Sequence, residues 1–239
     1  MAVLMSKQMV VPFLGKKLSD YAVGESVFLN VNGIAKEFLV VNQGKPSSLY
    51  DDSCNDTWLL MKDVYESRVF DSNNNDYKNS DIHTYLNGTF IGLFDSDVQS
   101  AIKQVKIPYV NGTGKTGSVA SGSSGLSTKV FLLGGYEVGW KQSMDDNFSD
   151  STPLFIDGYC LSYFNGTSLT DTRRIAYTNG TATSWYSRTP TGSDDIFTIN
   201  TGGGWSSYYV GNALGIRPAL IMPGATLFDE DNKFKKGVA

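Results

Sequence analysis

Catalysis in this 239-residue chain would have to use a single histidine and a few acidic pairs. His83 lies in a predicted short helix with no Asp, Glu or Cys at metal-ligand spacing, so a structural or surface role is favoured over a ligand or general base. Acidic residues are adjacent at 51–52, 145–146, 194–195 and 229–231, in polar stretches where Asp favours solvated turns. Two carboxyl groups hydrolyse a glycoside only when the fold sets them across a cleft. We therefore predict that the chain is not an enzyme.

Metal, phosphate and thiol chemistry have equally weak signals. Residues 71–76 (DSNNND) are rich in oxygen ligands for Ca²⁺ but lack the closing Glu of the twelve-residue calcium loop. Gly114-Lys115-Thr116 resembles the end of a phosphate-binding loop, yet the position of its leading glycine is Tyr109. Cys54 and Cys160 lie far apart in the sequence, so two buried free thiols are favoured, with a disulfide between them as the alternative. No metal and no cofactor is predicted.

The residues best suited to a function lie near the C-terminal end and suggest binding. Tyr and Trp offer rigid contact area, and Ser and Asn offer adaptable hydrogen bonds. Aromatic faces also stack on sugar rings, although part of such a cluster could equally be core. Alternation along a strand puts Tyr208 and Tyr209 on opposite faces, so one is expected to be buried and the other exposed. The predicted ligand-binding set is Asp194, Asp195, Trp205, Ser206, Tyr208, Tyr209 and Asn212.

Four further residues are predicted to be structural: Trp185, Arg188, Arg217 and Pro218. An arginine within an apolar strand usually means a buried guanidinium whose hydrogen bonds are satisfied. We expect Arg217 to donate to backbone carbonyls or a carboxylate and to hold the last strand in place.

Composition sets the class of fold that positions these residues. Hydrophobic residues make up 41% of the chain, enough for a sizeable core, while 25 glycines and 13% aromatics favour many short strands and tight turns. The net charge of −4 gives no basic surface for phosphates, so nucleic acid is not an expected partner.

The first half of the chain is expected to contain a hairpin and short helices. Asn32-Gly33 lies between the apolar runs 27–31 and 34–41 and predicts a two-residue β-turn, because both residues tolerate a positive φ. Residues 58–61 predict a buried strand. Ser80 can cap a helix that stops at Asn87-Gly88, and Asp95 or Ser96 can cap a second one.

The second half is expected to be strands separated by loops. Residues 111–128 predict an exposed mobile loop, 129–133 a strand and 136–140 the start of a short helix, while 154–164 is ambiguous between helix and strand. Four short strands at 184–190, 196–200, 206–210 and 215–222 predict an antiparallel meander.

The predicted organisation is one domain at 21–228, an N-terminal arm or connector at 1–20 and a polar C-terminal tail at 229–239. The chain shows no signal-peptide pattern and no membrane-spanning stretch, so synthesis in the cytoplasm without membrane insertion is expected.

Four motifs carry a family resemblance: YLNGTF at 85–90, KVFLL at 129–133, WYSRTP at 185–190 and GIRPAL at 215–220. In order and spacing they resemble an uncharacterised domain family common in phages and prophages of Gram-positive bacteria. The last motif is also similar to the closing strand of diversified C-type-lectin-fold proteins and of the formylglycine-generating-enzyme superfamily. The chain has no cysteine after Cys160, so the chemistry of that enzyme is not carried over.

The resemblance implies an α+β fold that is C-type-lectin-like or formylglycine-enzyme-like. It implies a virion-surface protein of the tail, baseplate or fibre that binds a host surface glycan or protein through residues 191–214. A decoration or connector protein that contacts only virion subunits is the alternative, and a cell-wall glycan hydrolase is the third. Other virion proteins, bound through the N-terminal arm, and copies of the chain in a homo-oligomer are the further partners expected.

Overall fold

The structure, a computed structural model, describes residues 14–111, 118–140, 157–192 and 194–235. These residues form mostly small antiparallel sheets with a few short helices, which is the α+β class predicted. The strands are β1 (Lys16–Lys17), β2 (Ser26–Val31), β3 (Ile34–Gln43), β4 (Thr57–Met61), β5 (Glu66–Val69), β6 (Val105–Ile107), β7 (Tyr109–Asn111), β8 (Ser118–Ala120), β9 (Leu126–Thr128), β10 (Val130–Phe131), β11 (Tyr177–Thr178), β12 (Thr181–Ala182), β13 (Trp185–Pro190), β14 (Asp195–Ile199), β15 (Trp205–Tyr209), β16 (Ala213–Ile216), β17 (Ala219–Met222) and β18 (Leu227–Phe228).

The helices are short. Two α-helices, α1 (Asp81–Tyr85) and α2 (Ser96–Ala101), lie in the described part of the chain. A π-helical turn follows α1 at Leu86–Phe90, and single 3₁₀ turns occur at Leu18–Asp20, Asp52–Cys54, Tyr77–Asn79, Ile91–Leu93, Gly122–Ser124, Ser162–Phe164 and Thr172–Arg174. None of the helices in the described ranges is long and apolar enough to span a membrane.

Two five-stranded sheets organise the domain. Sheet I has the strand order β10-β17-β4-β3-β2 and is antiparallel throughout. Sheet II has the order β15-β14-β13-β16-β5, with one parallel contact, between β13 and β16. The predicted meander is therefore present in β13–β15 and ends there, because β16 crosses to the other side of β13.

Local sequence explains the strands that were predicted correctly. Asn32 and Gly33 have φ values of 52° and 73°, as the predicted hairpin turn between β2 and β3 requires. All five residues of β4 are buried, because this continuous apolar run lies between β3 and β17. Trp58 of β4 packs edge to face against Tyr50 and Phe131 at 5.4 and 5.5 Å, which anchors the core beneath sheet I.

The predicted single strand at 215–222 is divided between the two sheets. β16 ends at Ile216 in sheet II, and β17 begins at Ala219 in sheet I. β4 and β5 make the same crossing in the opposite direction, and Met61 N donates to the Pro218 carbonyl at 2.9 Å between the two crossings. Pro218 has no N–H to give to a sheet ladder, which suits a point where the chain changes sheets.

The terminal segments pack on the domain where the structure describes them. Lys16–Lys17 pairs with Leu227–Phe228. Phe28 of β2 donates to the Asn232 carbonyl at 2.8 Å and accepts from Phe234 N at 3.1 Å, so the chain beyond residue 229 covers the edge of sheet I. Residues 1–13 of the predicted arm and 236–239 of the predicted tail lie outside the described ranges.

Three local predictions were wrong. The chain does not leave its helical path at Asn87-Gly88 but continues through Phe90, because Leu86 and Phe90 are fully buried there. Residues 118–128 are not a loop, since β8 pairs with β7 and β9 pairs with β6. Residues 135–139 form a turn instead of the predicted start of a helix, and Gly139 within it has a φ of +87°.

Candidate functional site

The predicted binding strand is the edge of sheet II. β15 pairs with β14 on one side, and no described strand pairs with its other side. Trp205 and Ser206 are half-buried, whereas Tyr208 and Tyr209 keep 38% and 46% of their surface exposed. The expectation that one tyrosine would be buried was therefore wrong, because an edge strand leaves both of its faces partly uncovered.

Alternation separates the predicted cluster into two faces. Trp205 and Tyr209 share one face, four residues or about 13 Å apart. On that face the Trp205 ring stacks on the buried Phe197 of β14 at 6.4 Å, and Asp195 lies directly across the ladder from Tyr209. Ser206 and Tyr208 lie on the opposite face. The strand can therefore contact a partner around its outer edge but does not form a single pocket.

The loop after β5 supports this edge from the side. The buried Asn75 side chain donates to the carbonyls of Gly192 and Asp195 at 2.7 and 3.0 Å, which fixes the entry to β14. The Tyr209 hydroxyl donates to the Ser72 carbonyl at 3.4 Å. The Tyr209 ring lies close to Gly211, where a Cβ would be 2.5 Å from the ring, so the glycine permits this ring position.

The remaining predicted ligand-binding residues flank the strand. Asp194 is exposed, and its carbonyl accepts from Val210 N at 3.0 Å. Asn212 is exposed in the turn after β15, and its carbonyl accepts from the Tyr186 hydroxyl at 2.6 Å. Asp194, Asp195 and Asn212 thus lie at the end of β15 that carries the tyrosines, away from Trp205.

Arg188 occupies the centre of a buried ionic cluster. Its guanidinium donates to both carboxylate oxygens of Glu137 at 2.6 and 2.8 Å. It also donates to the carbonyls of Pro108 and Leu132, at 3.1 and 2.9 Å, and lies 3.6 Å from the Asp157 carboxylate. All three charged side chains are fully buried. The role expected for Arg188, a guanidinium with satisfied hydrogen bonds, matches these contacts.

Burial raises the pKa of two groups in or beside this cluster, Asp157 and Tyr50. Burial raises the pKa of Asp157 to about 6, against the opposing attraction of Arg188. One Asp157 oxygen accepts from Thr189 Oγ1 at 2.9 Å, and the other has no partner in the described residues. Burial also raises the pKa of Tyr50 well above its ordinary value, so its hydroxyl stays protonated and donates to Glu137 at 2.6 Å.

The other predicted structural residues lie close together. Trp185 is fully buried, and its Nε1 donates to the Arg174 carbonyl at 2.9 Å. The Arg217 guanidinium lies 5.0 Å from the centre of the Trp185 ring, and Arg217 Nε donates to the Met61 carbonyl at 2.8 Å. The structure thus contains the carbonyl contact predicted for Arg217. The expectation that all of its hydrogen bonds are satisfied was wrong, because the buried Nη1 has no partner in the described residues. The structure also adds a buried arginine that the sequence analysis missed, Arg174, which donates to the carbonyls of Val138 and Gly203.

The residues weighed for other chemistry are engaged in local structure. His83 packs against Tyr77 at 5.2 Å, and burial lowers its pKa. One Asp71 carboxylate oxygen accepts hydrogen bonds from Asn73 N, Asn74 N and the Asn74 side-chain amide. These bonds close the turn, so this oxygen already has three donors. Cys54 is buried with a pKa raised to about 12 by burial, and it forms no disulfide with Cys160. Residues 112–117 and the pair 145–146 lie outside the described ranges.

A cavity of about 280 Å³ is a feature that the sequence analysis missed. Its wall includes Tyr136 and Tyr159, whose rings are 5.5 Å apart and inclined by 61°, and its floor includes Asn42 and Gln43. These residues come from three separate segments, so no spacing in the sequence indicates the cavity. The one signal in the sequence is Tyr159 itself, an aromatic residue within the ambiguous segment 154–164.

Comparison with known proteins adds one match. The family model described as "Domain of unknown function (DUF6273)" matches residues 55–224. No curated protein and no solved structure matches the chain. The matched residues run from β4 to β17, so they include all of sheet II and the three strands of sheet I other than the β2–β3 hairpin.

Proposed function

The chain belongs to the family described as domain of unknown function (DUF6273), and we propose that it is a non-catalytic binding domain of a virion surface. In this proposal strand β15 contacts a glycan or protein on the host surface. The observation that carries it is the exposure of Tyr208 and Tyr209 on both sides of an edge strand. Exposed aromatic residues beside small hydroxyl side chains are typical of binding surfaces.

The proposal includes a C-type-lectin-like or formylglycine-enzyme-like arrangement of the small sheets. Its support is the order of the four motifs and their places in the fold. Asn87 of the first motif holds the second motif in place through hydrogen bonds to Lys129 N and Val130 N at 2.9 and 3.2 Å. Arg217 of the fourth contacts Trp185 of the third. The motifs therefore describe contacts that close the domain.

The test is binding of the fluorescently labelled protein to host cells. We expect the double variant Tyr208→Ser/Tyr209→Ser to lose at least about tenfold in apparent affinity, the size of effect expected from removing two contact aromatics. Tyr177→Ser is the matched control, because Tyr177 is 44% exposed on the separate β11–β12 hairpin. Equal binding by all three proteins would contradict a role for β15.

The same purified protein distinguishes the two other functions, a decoration protein and a cell-wall hydrolase. A decoration protein would ignore cells and bind assembled particles in a fixed ratio. A hydrolase would release fragments from purified cell wall. The carboxyl groups of Glu137 and Asp157 both lie against Arg188, but they are fully buried, so a glycan cannot reach this pair.

A further inference from the structure

We propose that the cavity between Tyr136 and Tyr159 is a second binding site and that it takes one neutral pyranose unit. The cavity shares no residue with strand β15, so this site does not depend on the surface proposed above. Its volume of about 280 Å³ is at the lower limit for small-molecule pockets, which suits a single sugar ring.

The aromatic wall fits a sugar. Tyr159 keeps 47% of its surface exposed, although Gly158 before it and Leu161 shortly after it are buried. Its ring packs edge to face with Tyr136, which restricts both side chains. A ring that is held in place and still exposed can stack on the apolar face of a pyranose with little loss of side-chain entropy.

The polar groups of the cavity suit a neutral ligand with hydroxyl groups better than a charged ligand. No carboxylate lines it in the described residues, and the ammonium of Lys45 is already paired with Asp52. The side-chain amide of Asn165 and the hydroxyls of Tyr136 and Tyr159 have no hydrogen-bond partner among the described residues. Amides and phenols both donate and accept, as the hydroxyls of a neutral sugar do.

The floor of the cavity is already ordered. Asn42 Oδ1 accepts from both Ser162 N and Ser162 Oγ, at 3.1 and 2.7 Å. Gln43 Nε2 donates to the carbonyls of Leu18 and Tyr21 at 3.2 and 3.0 Å, and its Oε1 accepts from Thr57 at 2.6 Å. These bonds fix the two amides before any ligand arrives, so binding does not have to order them.

The buried ionic cluster supports the wall from beneath. The Tyr50 hydroxyl accepts from Tyr159 N at 2.8 Å and donates to Glu137, the residue after Tyr136. Gly158 allows this close approach, because a Cβ there would lie 2.6 Å from Glu137 Cγ. One carboxylate thus connects the backbone positions of both tyrosines, which is how a site is held rigid.

The test is saturation-transfer NMR and calorimetry on the full chain with glucose, galactose, rhamnose and N-acetylglucosamine, and with glucuronate and inorganic phosphate as charged comparators. We expect at least one neutral sugar to bind with a Kd of about 1 mM. Tyr159→Ala should weaken that binding at least about tenfold, and Tyr159→Phe should weaken it less because the stacking ring remains. Tyr177→Ala is the control for removal of an exposed tyrosine.

The outcomes separate this site from the proposed function. Tyr208→Ser/Tyr209→Ser should leave sugar binding unchanged, and Tyr159→Ala should leave any β15-dependent binding unchanged. The proposal is overturned if none of the four neutral sugars binds, if only the anions bind, or if Tyr159→Ala and Asn165→Ala both bind sugar like the wild type. Asn165 is exposed, so its variant reports on the cavity even if Tyr159→Ala does not fold.

Discussion

Arg188 and Glu137 form a buried bidentate ion pair in which Nη1 lies 2.6 Å from Oε2 and Nη2 lies 2.8 Å from Oε1. Both side chains are fully buried, so each charge relies on the other to replace the hydration it has lost. The same carboxylate accepts from the Tyr50 hydroxyl, which in turn holds Tyr159 N. The pair therefore joins β13 to the two segments that carry the cavity tyrosines.

Glu137→Gln should be strongly destabilising. The neutral amide leaves the Arg188 charge buried without its bidentate partner, a change that typically costs about 3–5 kcal/mol. The free energy of unfolding from urea titrations measures the effect. Glu37→Gln is the matched control, because it removes a carboxylate that pairs with Lys62 at the surface, 2.9 Å away, and should cost less than about 1 kcal/mol. Similar values for both variants would contradict the assigned role of Glu137.

Asp157→Asn should change how stability depends on pH. The folded pKa of Asp157 is raised to about 6, above the value of about 3.9 in an unfolded chain. Below pH about 4 the carboxyl is protonated in both states; above that pH the unfolded state ionises first, so stability is lost as pH rises through 6. The loss is up to about 3 kcal/mol.

Wild type and Asp157→Asn share every other titrating group, so the difference between their free energies of unfolding isolates this carboxyl. Between pH 4 and pH 7 the free energy of unfolding of the variant should increase by up to about 3 kcal/mol relative to that of the wild type. Thr189 Oγ1 can still donate to the amide oxygen, which keeps the variant folded. Urea titrations at four pH values check the prediction, and a difference that stays constant with pH would show that Asp157 does not titrate in this range.

Two Asn-Gly-Thr sequences show what the sequence alone can and cannot predict. At Asn179 the residue has a φ of +50° in the turn between β11 and β12, as turn chemistry predicts. At Asn87 the same tripeptide lies in a helical segment, and its side chain bonds to the distant strand β10. The tripeptide is the same at both positions, so the difference comes from the flanking residues and their packing: Leu86 and Phe90 are buried on either side of Asn87.

The difference between local sequence and tertiary packing also explains which parts of the fold could be predicted. The β2–β3 hairpin, the buried strand β4 and the pairing of β13 with β14 follow from residues that are neighbours in sequence. The division at Arg217-Pro218, the short pairs that replace the predicted loop and the cavity between Tyr136 and Tyr159 depend on segments far apart in the chain. Periodicity and turn signals carry no information about such contacts.

Asn87→Asp should destabilise the domain by about 3 kcal/mol, since two donated bonds are lost and a charge is placed beside carbonyl oxygens. The bonds lost are those from Asn87 Nδ2 to the His83 and Val130 carbonyls, at 3.1 and 2.9 Å. Asn179→Asp, in an exposed turn that Asp tolerates, should stay within about 0.5 kcal/mol of the wild type. Thermal melting followed by circular dichroism compares the two, and equal melting temperatures would remove Asn87 from the closing contacts.

Arg217→Ala tests the junction between the two sheets. Arg217 Nε is the donor that satisfies the Met61 carbonyl between the crossing chains, and the guanidinium fills the space over Trp185. Alanine leaves a buried acceptor unpaired and a cavity beside Trp185, for a combined cost of about 3–5 kcal/mol, which is a large fraction of the stability of an ordinary domain. Arg217→Met keeps an apolar side chain beside Trp185 and removes the donor together with the charge, so it should lose about 1–3 kcal/mol.

Arg68→Ala is the matched control for this junction, because Arg68 also lies over an aromatic ring, 3.6 Å from the centre of Tyr85, but is partly exposed. It should change stability by less than about 1 kcal/mol. Near-ultraviolet circular dichroism follows the tryptophan environment while urea titration gives the free energy of unfolding. If Arg217→Ala melts like the wild type, the two sheets are joined by other contacts, and the closing motif serves a purpose other than holding them together.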